Sequence, residues 1–580
     1  SEQAEIEVPI PNYRGFHVND WEKCIGCGTC SIICDNHAIT MVEIPDLPSD
    51  PEKGIKPRRP AIDYGRCCWC ALCVDICPTG SIGLSREYVH ISPDLDTYFI
   101  LPDPNGMHGV PYPEGWGKSA DADLLDLERQ PMGEAEPEAR VEDFDEIVAG
   151  FDDQTALLEA SRCIQCGMCH EACPTHMHAP EYIRALWLGD VEEAVRQIYR
   201  TNPMAHVCGR VCTHRCEAAC SIGHRGEPIA IRWLKRYALD QVPHERVRQI
   251  AAEGRSTDLT GQRVAIVGAG PAGLTAAYDL AREGHQVVIY EANSRPGGMM
   301  RYGIPEYRLP YDRLDEDVDV VTSLGVEVRY DTPVGDQVTM DELERDHDAV
   351  ILATGLWLGR STRVPGSDHP EVRSAVALLK DITEGGMDRV PEQAVVIGGG
   401  NVAMDIARSV ARLQRRSGRP VAVTLTCLEG EGAMLADADE IKEALEEGVV
   451  MYPGRGPTAM RIEDGTLRGL DTVRCLSIFD DQGRFHPKYD EDDARFMAGD
   501  MVIEAIGQAP GVEFLVERVT EALVWRRGRP VVDADGRTGL PWLWAAGDLV
   551  EGPDVVHAVA AGHRVANSIH GAPSKVPVTA

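Results

Sequence analysis

Short apolar runs set between glycine turns dominate the second half of the chain. Val264–Val267, Gln286–Tyr290, Ala349–Leu352 and the run opening at Ala394 are brief and almost uninterrupted. That is the pattern of parallel strands buried on both faces, not of half-exposed alternating ones. Leu274–Arg282 follows the first run with helical composition. Pro420–Cys427 and Asp500–Gly507 predict further strands, and Ala558–Asn567 a closing helix. Strand and helix alternate, so this half is expected to be α/β. The first half differs. Gln154–Arg162 has helix-forming composition, whereas residues 91–150 are rich in proline, glycine and acid, as in Pro102-Asp-Pro-Asn-Gly106. That stretch reads as an irregular connector.

Length and charge narrow the picture. A chain of 580 residues is too long for one core, so three or four domains are expected. A net charge of −36 argues against nucleic acid, whose phosphates would be repelled. No apolar run is long enough for a membrane span, and the first residues lack the basic flank and apolar core of a signal peptide. A cytoplasmic location is expected. Nineteen cysteines in such a chain point to metal rather than disulfides.

Sixteen of those cysteines fall into ordered groups. Cys24, Cys27, Cys30 and Cys34 are spaced C-x2-C-x2-C-x3-C, and Cys67, Cys70, Cys73 and Cys77 repeat the spacing. Three close thiolates wrap one face of a cubane and the fourth reaches the other cluster. The rule assigns Cys24, Cys27, Cys30 and Cys77 to one [4Fe–4S] cluster, and Cys67, Cys70, Cys73 and Cys34 to a second. Cys68 breaks the spacing and is read as a bystander. Structural zinc would instead call for two separated CxxC pairs. Residues 20–90 resemble a bacterial two-cluster ferredoxin, with Asp35 standing where a proline is usual. Cys163, Cys166, Cys169 and Cys173 form a third group, and Cys208, Cys212, Cys216 and Cys220 a fourth. Steps of four in the last group would line one face of a helix. Buried apolar cysteines or zinc ligands are the alternatives, but eight thiols in two dense groups favour a further pair of Fe–S clusters. His170, His176, His206 and His214 read as polar helix-face residues or outer donors.

Two glycine turns carry the nucleotide signals. Gly268-Ala-Gly270-Pro-Ala-Gly273 turns the first strand into a helix whose N-terminus suits a pyrophosphate. Glu291 ends the next strand, where a carboxylate accepts a ribose hydroxyl. Gly398-Gly-Gly400-Asn401-Val-Ala403 repeats strand, turn and helix, with Ala403 in the close-packing position. The following strand ends at Glu429, which would hydrogen-bond ribose hydroxyls and repel a 2′-phosphate. NADH is therefore expected over NADPH, although NADP(H) stays possible. The rival reading has Arg415 or Arg416 gripping the phosphate. Beyond residue 220 only Cys427 and Cys475 remain, which excludes a redox dithiol beside the flavin.

Cys163–Pro174, the stretch from Asn202 to Cys212, and Gly297-Gly-Met-Met-Arg301-Tyr-Gly-Ile-Pro-Glu-Tyr-Arg-Leu-Pro310 carry a wider likeness. Residues 150–580 resemble the small subunit of glutamate synthase and its relatives, including the cluster-bearing N-terminal part of dihydropyrimidine dehydrogenase. The resemblance implies FAD at Gly268, Gly270, Gly273, Glu291, Gly298, Arg301, Thr354 and Gly355, with Gly547 and Asp548 as a second FAD motif. NAD(P) would sit at Gly398, Gly400, Asn401, Ala403 and Glu429. It also implies up to four [4Fe–4S] clusters, with Cys163, Cys166, Cys169 and Cys220 on one and Cys173, Cys212 and Cys216 on another. In relatives a Gln or Glu can complete that last set, in a stretch that here reads Leu234-Lys235-Arg236-Tyr237. A protonated lysine cannot ligate iron, so either Cys208 takes the place or the cluster is incomplete.

The expected fold is thus multidomain, α/β and α+β. A 2[4Fe–4S] ferredoxin module (1–95) is followed by an irregular linker (96–149) and an α-helical Fe–S domain (150–258). Two Rossmann-like domains come next: FAD-binding in two parts (259–357 and 499–580), enclosing an NAD(P)-binding domain (358–498). Hydride donors deliver two electrons and clusters take one, and a flavin converts between them. The expected function is an NAD(P)H:ferredoxin-type oxidoreductase. Fusions of this kind look like the electron-transfer subunit beside thiamine diphosphate-dependent 2-oxoacid oxidoreductase subunits. A free-standing reductase exchanging electrons with soluble ferredoxin is the first alternative. A glutamate synthase small subunit is the second, though it needs no added ferredoxin.

Overall fold

Two five-stranded parallel sheets organise the second half of the chain in a computed structural model that describes residues 13–87, 90–104, 115–116, 124–387 and 389–571. The chain forms two compact units, each described by itself. One comprises residues up to 131 with 150–201 and 214–243, and the other 132–149, 202–213 and 244 onward.

In the second unit, the first sheet runs Glu327–Arg329, Gln286–Tyr290, Arg263–Val267, Ala349–Leu352 and Leu543–Ala545. Val264 to Ile266 and Val350 to Leu352 are wholly buried, because helices cover both faces of a parallel sheet. The helix Pro271–Arg282 leaves the central strand and packs on the closing helix Val555–His570. Gly562 lets these helices touch: a Cβ there would lie 2.6 Å from the Ala272 carbonyl oxygen.

The second sheet runs Val372–Ser374, Met501–Glu504, Ala394–Ile397, Val423–Cys427 and Val450–Pro453. Met501–Glu504 corrects an expectation. Read as the return of the chain to the flavin domain, it lies instead beside Ala394–Ile397, where four buried residues fill an interior strand position. The crossing back follows it, with Gln508–Ala509 paired to Leu358–Gly359. An unanticipated antiparallel sheet, Arg455–Glu463, Thr466–Phe479 and Phe485–Ala498, is inserted before it.

A buried ionic network braces the second nucleotide domain. Arg408 and Arg412, on the helix Asn401–Arg416, are fully buried and hold both oxygens of Glu447. Arg140 donates to the same carboxylate at 3.0 Å. The ring of Tyr307 lies 3.7 Å from the Arg412 guanidinium, and Arg308 pairs with Asp405 at 2.7 Å. The loop after Gly303 is thereby pinned to the helix that opens the second site.

In the first unit, His17–Asn19 pairs with Ile82–Leu84, and Ile39–Glu43 with Arg58–Asp63. Phe99–Ile100 adds to the latter, so the stretch expected to be irregular begins by extending the ferredoxin sheet. Around Cys163–Cys173 lie the helices Asp153–Ser161, Met168–Ala172, Ala179–Trp187, Val191–Tyr199 and Ile231–Gln241.

Candidate functional site

Three cysteine loops share one backbone shape. In Cys24–Cys30, Cys67–Cys73 and Cys163–Cys169, the residue before the second cysteine is left-handed: Gly26, Trp69 and Gln165, with φ of 68°, 52° and 57°. The residue after it is left-handed too: Gly28, Ala71 and Gly167, with φ of 84°, 73° and 77°. Such reversals turn successive N–H groups inward, a concavity suited to a negatively charged cluster. Trp69 and Gln165 hold a conformation that costs about 1–2 kcal/mol in a residue with a Cβ. That strain persists because the cysteine geometry requires it.

Thiols within these groups act on one another. Burial raises Cys30, and the charges of Cys27, Cys73, Cys77 and Cys24 add to it. Cys73 is pushed up to about 12 by burial, then by Cys67, Cys70 and Cys34. Cys34 thus lies near enough to act on Cys73, and both Cys73 and Cys77 near enough to act on Cys30. Cys163 is likewise pushed up to about 12 by burial, with Cys166 and Cys220 adding to it. Burial raises Cys169, and Cys166, Cys216, Cys163 and Cys220 reinforce the shift. Buried thiols crowding one another in this way suit a group that supplies positive charge, and the donor sets fit [4Fe–4S] clusters. Each cubane thiolate binds a different iron, so these sulfurs need not converge on a single point. No disulfide joins them.

Polar groups already point at the sulfurs. His17 Nε2 lies 3.4 Å from Cys73 Sγ, Thr29 Oγ1 3.3 Å from Cys27 Sγ, and Ser221 Oγ 3.2 Å from Cys166 Sγ. Thr175 Oγ1 is 3.3 Å from Cys173 Sγ, and Gln165 Nε2 donates to Cys163 Sγ at 3.3 Å.

The last cysteine group is not one helix. Cys208 is buried in Ala205–Arg210, Cys216 lies in Arg215–Ala218, and Cys212 falls in the break between them. His214, with φ 41°, ends any continuation. Cys208 and Cys212 belong to the second unit and Cys216 and Cys220 to the first. Cys173 and Cys216 both bear on Tyr182.

In the second unit a cavity of 490 Å³ opens at the C-terminal end of the first sheet. Gly268, Gly270, Glu291, Gly298, Thr354, Gly355, Gly547 and Asp548 line it, as do Pro553 to Val555 at the start of the closing helix. Glu291 accepts the Ala269 N–H at 2.8 Å and the Asn293 N–H at 2.8 Å, so the acid also fixes the turn. Gly273 is outside the wall and does what close packing requires: a Cβ would lie 2.1 Å from the Gly268 carbonyl oxygen. Two buried oxygens, Asp548 Oδ1 and Thr354 Oγ1, have no hydrogen-bond partner among the described residues. Burial pushes the Asp548 carboxyl up to about 6. Unsatisfied buried oxygens beside an anion-binding turn fit the hydroxyls and pyrophosphate of FAD.

Arg301 corrects the expected contact list. It is not in the cavity wall; its Nε donates to the Pro296 carbonyl at 2.7 Å and its Nη2 pairs with Asp315. Its position in the chain put it near the flavin, but Nε holds the 295–298 loop and Nη2 holds Asp315, and Nη1 is buried with no hydrogen-bond partner among the described residues. Sequence reasoning missed Trp357 and Lys380, both in the wall. Lys380 Nζ donates to Asn293 Oδ1 at 2.7 Å and lies 5.8 Å from the Trp357 ring centre. A lysine directly after the apolar run Ala375–Leu379 was the available signal.

The cavity reaches the second nucleotide turn, since Asn401, Val402 and Asp405 also line it. Asn401 is braced by Asp437, whose N–H donates to Asn401 Oδ1 at 2.8 Å. Gly398, Gly400 and Ala403 lie in the same turn and helix, and a Cβ on Gly399 would stand 2.9 Å from Glu429 Oε2. Glu429 thus sits over the turn. Arg415 and Arg416 close a helix of 16 residues, about 22 Å from its start at 1.5 Å per residue. Arg415 is held by Glu142, and Arg416 lies against Phe144.

Comparison with known proteins agrees with this architecture. Residues 262–562 match the pyridine nucleotide-disulphide oxidoreductase family, residues 140–247 the 4Fe-4S domain II of dihydropyrimidine dehydrogenase, and residues 23–81 a 4Fe-4S dicluster domain. The beta subunit of the NADP(+)-dependent formate dehydrogenase of Moorella thermoacetica is 39% identical over 69% of this chain, which covers 59% of that subunit. The AegA protein of Escherichia coli K12 is 30% identical over 98% of this chain and 89% of its own length. The glutamate synthase [NADPH] small chain of the same organism is 30% identical over 77% of this chain and 97% of its own. Among the described residues no helix is long and apolar enough to cross a membrane. With both nucleotide turns, the cavity between them and the thiol groups in place, the chain belongs to the pyridine nucleotide-disulphide oxidoreductase family, as an iron–sulfur flavoprotein oxidoreductase.

Proposed function

We propose that this protein passes electrons between NADH and an iron–sulfur partner, by way of FAD and its own [4Fe–4S] clusters. One observation carries the reading: a single cavity joins the Gly268 and Asp548 side to Asn401 and Asp405 at the second nucleotide turn. A nicotinamide held by the second turn would face a flavin held by the first. When bound, FAD supplies the exchange between two-electron and one-electron transfer. The residues supply the rest. Glu291 and the Gly268 turn hold one dinucleotide, Asp548 and Thr354 offer oxygens to its hydroxyls, and Asn401 and Lys380 border the meeting place. Glu429 favours NADH, because its carboxylate suits ribose hydroxyls and repels a 2′-phosphate.

The partner proposed is a set of thiamine diphosphate-dependent 2-oxoacid oxidoreductase subunits in the cytoplasm. The likeness to fusions of a ferredoxin with a glutamate-synthase-like part supports it. Anaerobic native purification tests it. Co-migration with thiamine-dependent subunits is expected; a lone protein holding FAD and about sixteen irons would point to a free-standing ferredoxin reductase.

A further inference from the structure

The two ferredoxin sites face different surroundings. Beside Cys24, Cys27, Cys30 and Cys77, the loop 51–56 ties this module to the helical segment of the same unit. Lys56 N donates to the carbonyl of Ile25, next to Cys24, at 2.9 Å. A Cβ on Gly54 would meet the carbonyl oxygen of Ala219, next to Cys220, at 2.3 Å. Lys56 Nζ pairs with Glu171 at 3.5 Å, and Arg225 donates to the Cys77 carbonyl at 3.4 Å. The first site is therefore turned inward, toward the Cys163–Cys169 loop.

The other site is open. Cys70, a ligand of this set, is exposed, as are Cys68 and Leu72. Asn36 Nδ2 donates to the Arg66 carbonyl at 3.1 Å, which joins the Cys34 loop to the Cys67 loop. Arg14 donates to the Cys70 carbonyl at 3.2 Å and lies 5.0 Å from the Trp116 ring centre. Its charge thus meets carbonyls and a ring, unlike Arg66, which stands 3.4 Å from Asp63. In a chain of net charge −36, Arg14 and Arg66 bring positive charge to this rim, against Asp63 and the exposed Asp35.

We infer that electrons cross the protein surface at the Cys34, Cys67, Cys70 and Cys73 site, and that Arg14, Asn36, Arg66 and Leu72 around it dock a protein carrying a one-electron iron–sulfur centre beneath an acidic face. The inference rests on the function proposed above. Each NADH oxidised to NAD⁺ and a proton releases two electrons, which reduce two carriers by one electron each. A small, charge-guided contact suits such an exchange, since transient redox interfaces are at the small end of the range.

The test uses the full holoprotein and a soluble acidic two-cluster ferredoxin. Arg66→Glu and Leu72→Asp are compared with the parent and with Phe479→Asp, an exposed position on the inserted sheet. Iron content and NADH-driven reduction of the bound flavin and clusters should be unchanged in all. Electron transfer to ferredoxin should fall about ten-fold in the first two alone, and the Kd from titration calorimetry should rise in step. The Arg66→Glu Kd should also lose part of its salt dependence, with Arg14 still in place. An unchanged Kd and rate in both port variants, or an equal loss in Phe479→Asp, would overturn the inference. If NADH fails to reduce the clusters of the parent, the function proposed above fails instead, and calorimetry still decides the docking surface.

Discussion

His17 Nε2 lies 3.4 Å from Cys73 Sγ, and the Tyr64 hydroxyl stands against the other ring nitrogen. The Tyr64 hydroxyl accepts the backbone N–H of His17 at 2.7 Å and lies 3.1 Å from His17 Nδ1. When the hydroxyl gives its own proton to Nδ1, Nε2 bears the hydrogen and points it at sulfur. Burial keeps the ring neutral, its pKa lowered to about 4. An N–H donated to a cluster sulfur offsets the charge added on reduction. His17→Phe should therefore lower the potential of this cluster. In an EPR-monitored redox titration, the ratio of reduced to oxidised cluster at fixed potential should fall by about ten-fold, equivalent to ~59 mV for one electron.

Under the function proposed above, Glu429 would set the nucleotide preference by charge. Its Oε2 stands against Gly399 of the turn, where the adenosine ribose would lie. Glu429→Arg should raise the Kd for NADH and lower that for NADPH, changing the ratio by at least ten-fold, about 1.4 kcal/mol. Stopped-flow flavin reduction with each nucleotide measures it. Arg415→Ala, at the far end of the helix, should leave the ratio unchanged.

Asp548 links flavin binding to pH. Burial raises its carboxyl from 3.8 to about 6. A raised carboxyl means the folded protein binds the proton more tightly than the unfolded chain does. The group's contribution is then complete below about pH 4 and lost as pH rises through about 6. In flavin-free protein, Asp548→Asn should become stabilising relative to the parent as pH rises across this window, by thermal melting. The same substitution should weaken FAD binding in equilibrium dialysis, because the ribityl hydroxyls lose a charged acceptor.

Glu447 anchors the buried network and should behave in the opposite sense. Burial works to raise its carboxyl, but hydrogen bonds from Arg408 and Arg412 prevail and hold it at about 2. Its stabilisation is present above about 4.5 and is lost as pH falls toward 2. Glu447→Ala leaves Arg412 uncompensated in the interior, while Arg140 keeps Glu446 and Arg408 keeps Glu440 and Glu443, a change worth roughly 3–5 kcal/mol. Denaturant unfolding at pH 7 should show that loss.

Cys68 stands outside the ligand spacing and is exposed, whereas Cys70 lies within it. Cys68→Ser should retain the parent's iron content. Cys70→Ser should lose up to four irons by chemical analysis after anaerobic purification.

Local chemistry was legible where it is written in consecutive residues. The strands Gln286–Tyr290 and Ala349–Leu352 and both glycine turns follow from spacing and apolar runs. What long-range packing decides was not. Arg408 and Arg412 have the charge of a solvated helix face, yet Glu447 and Tyr307, distant in sequence, make their burial possible. Met501–Glu504 is as apolar as a strand of either sheet, so its sequence could not say which it joins. The four-residue steps from Cys208 to Cys220 suited a helix, but the left-handed His214 breaks it. Lys380 and Trp357 reach the cavity only because two domains close around it.

The central claim is that electrons from a nicotinamide reach the clusters through this chain. Anaerobic titration of the holoprotein with NADH, followed by flavin absorbance and low-temperature EPR, tests it most directly. The account predicts flavin bleaching together with signals of reduced [4Fe–4S] clusters, NADH acting faster than NADPH. Bleached flavin with no cluster signal at excess NADH, where dithionite does produce one, would contradict it.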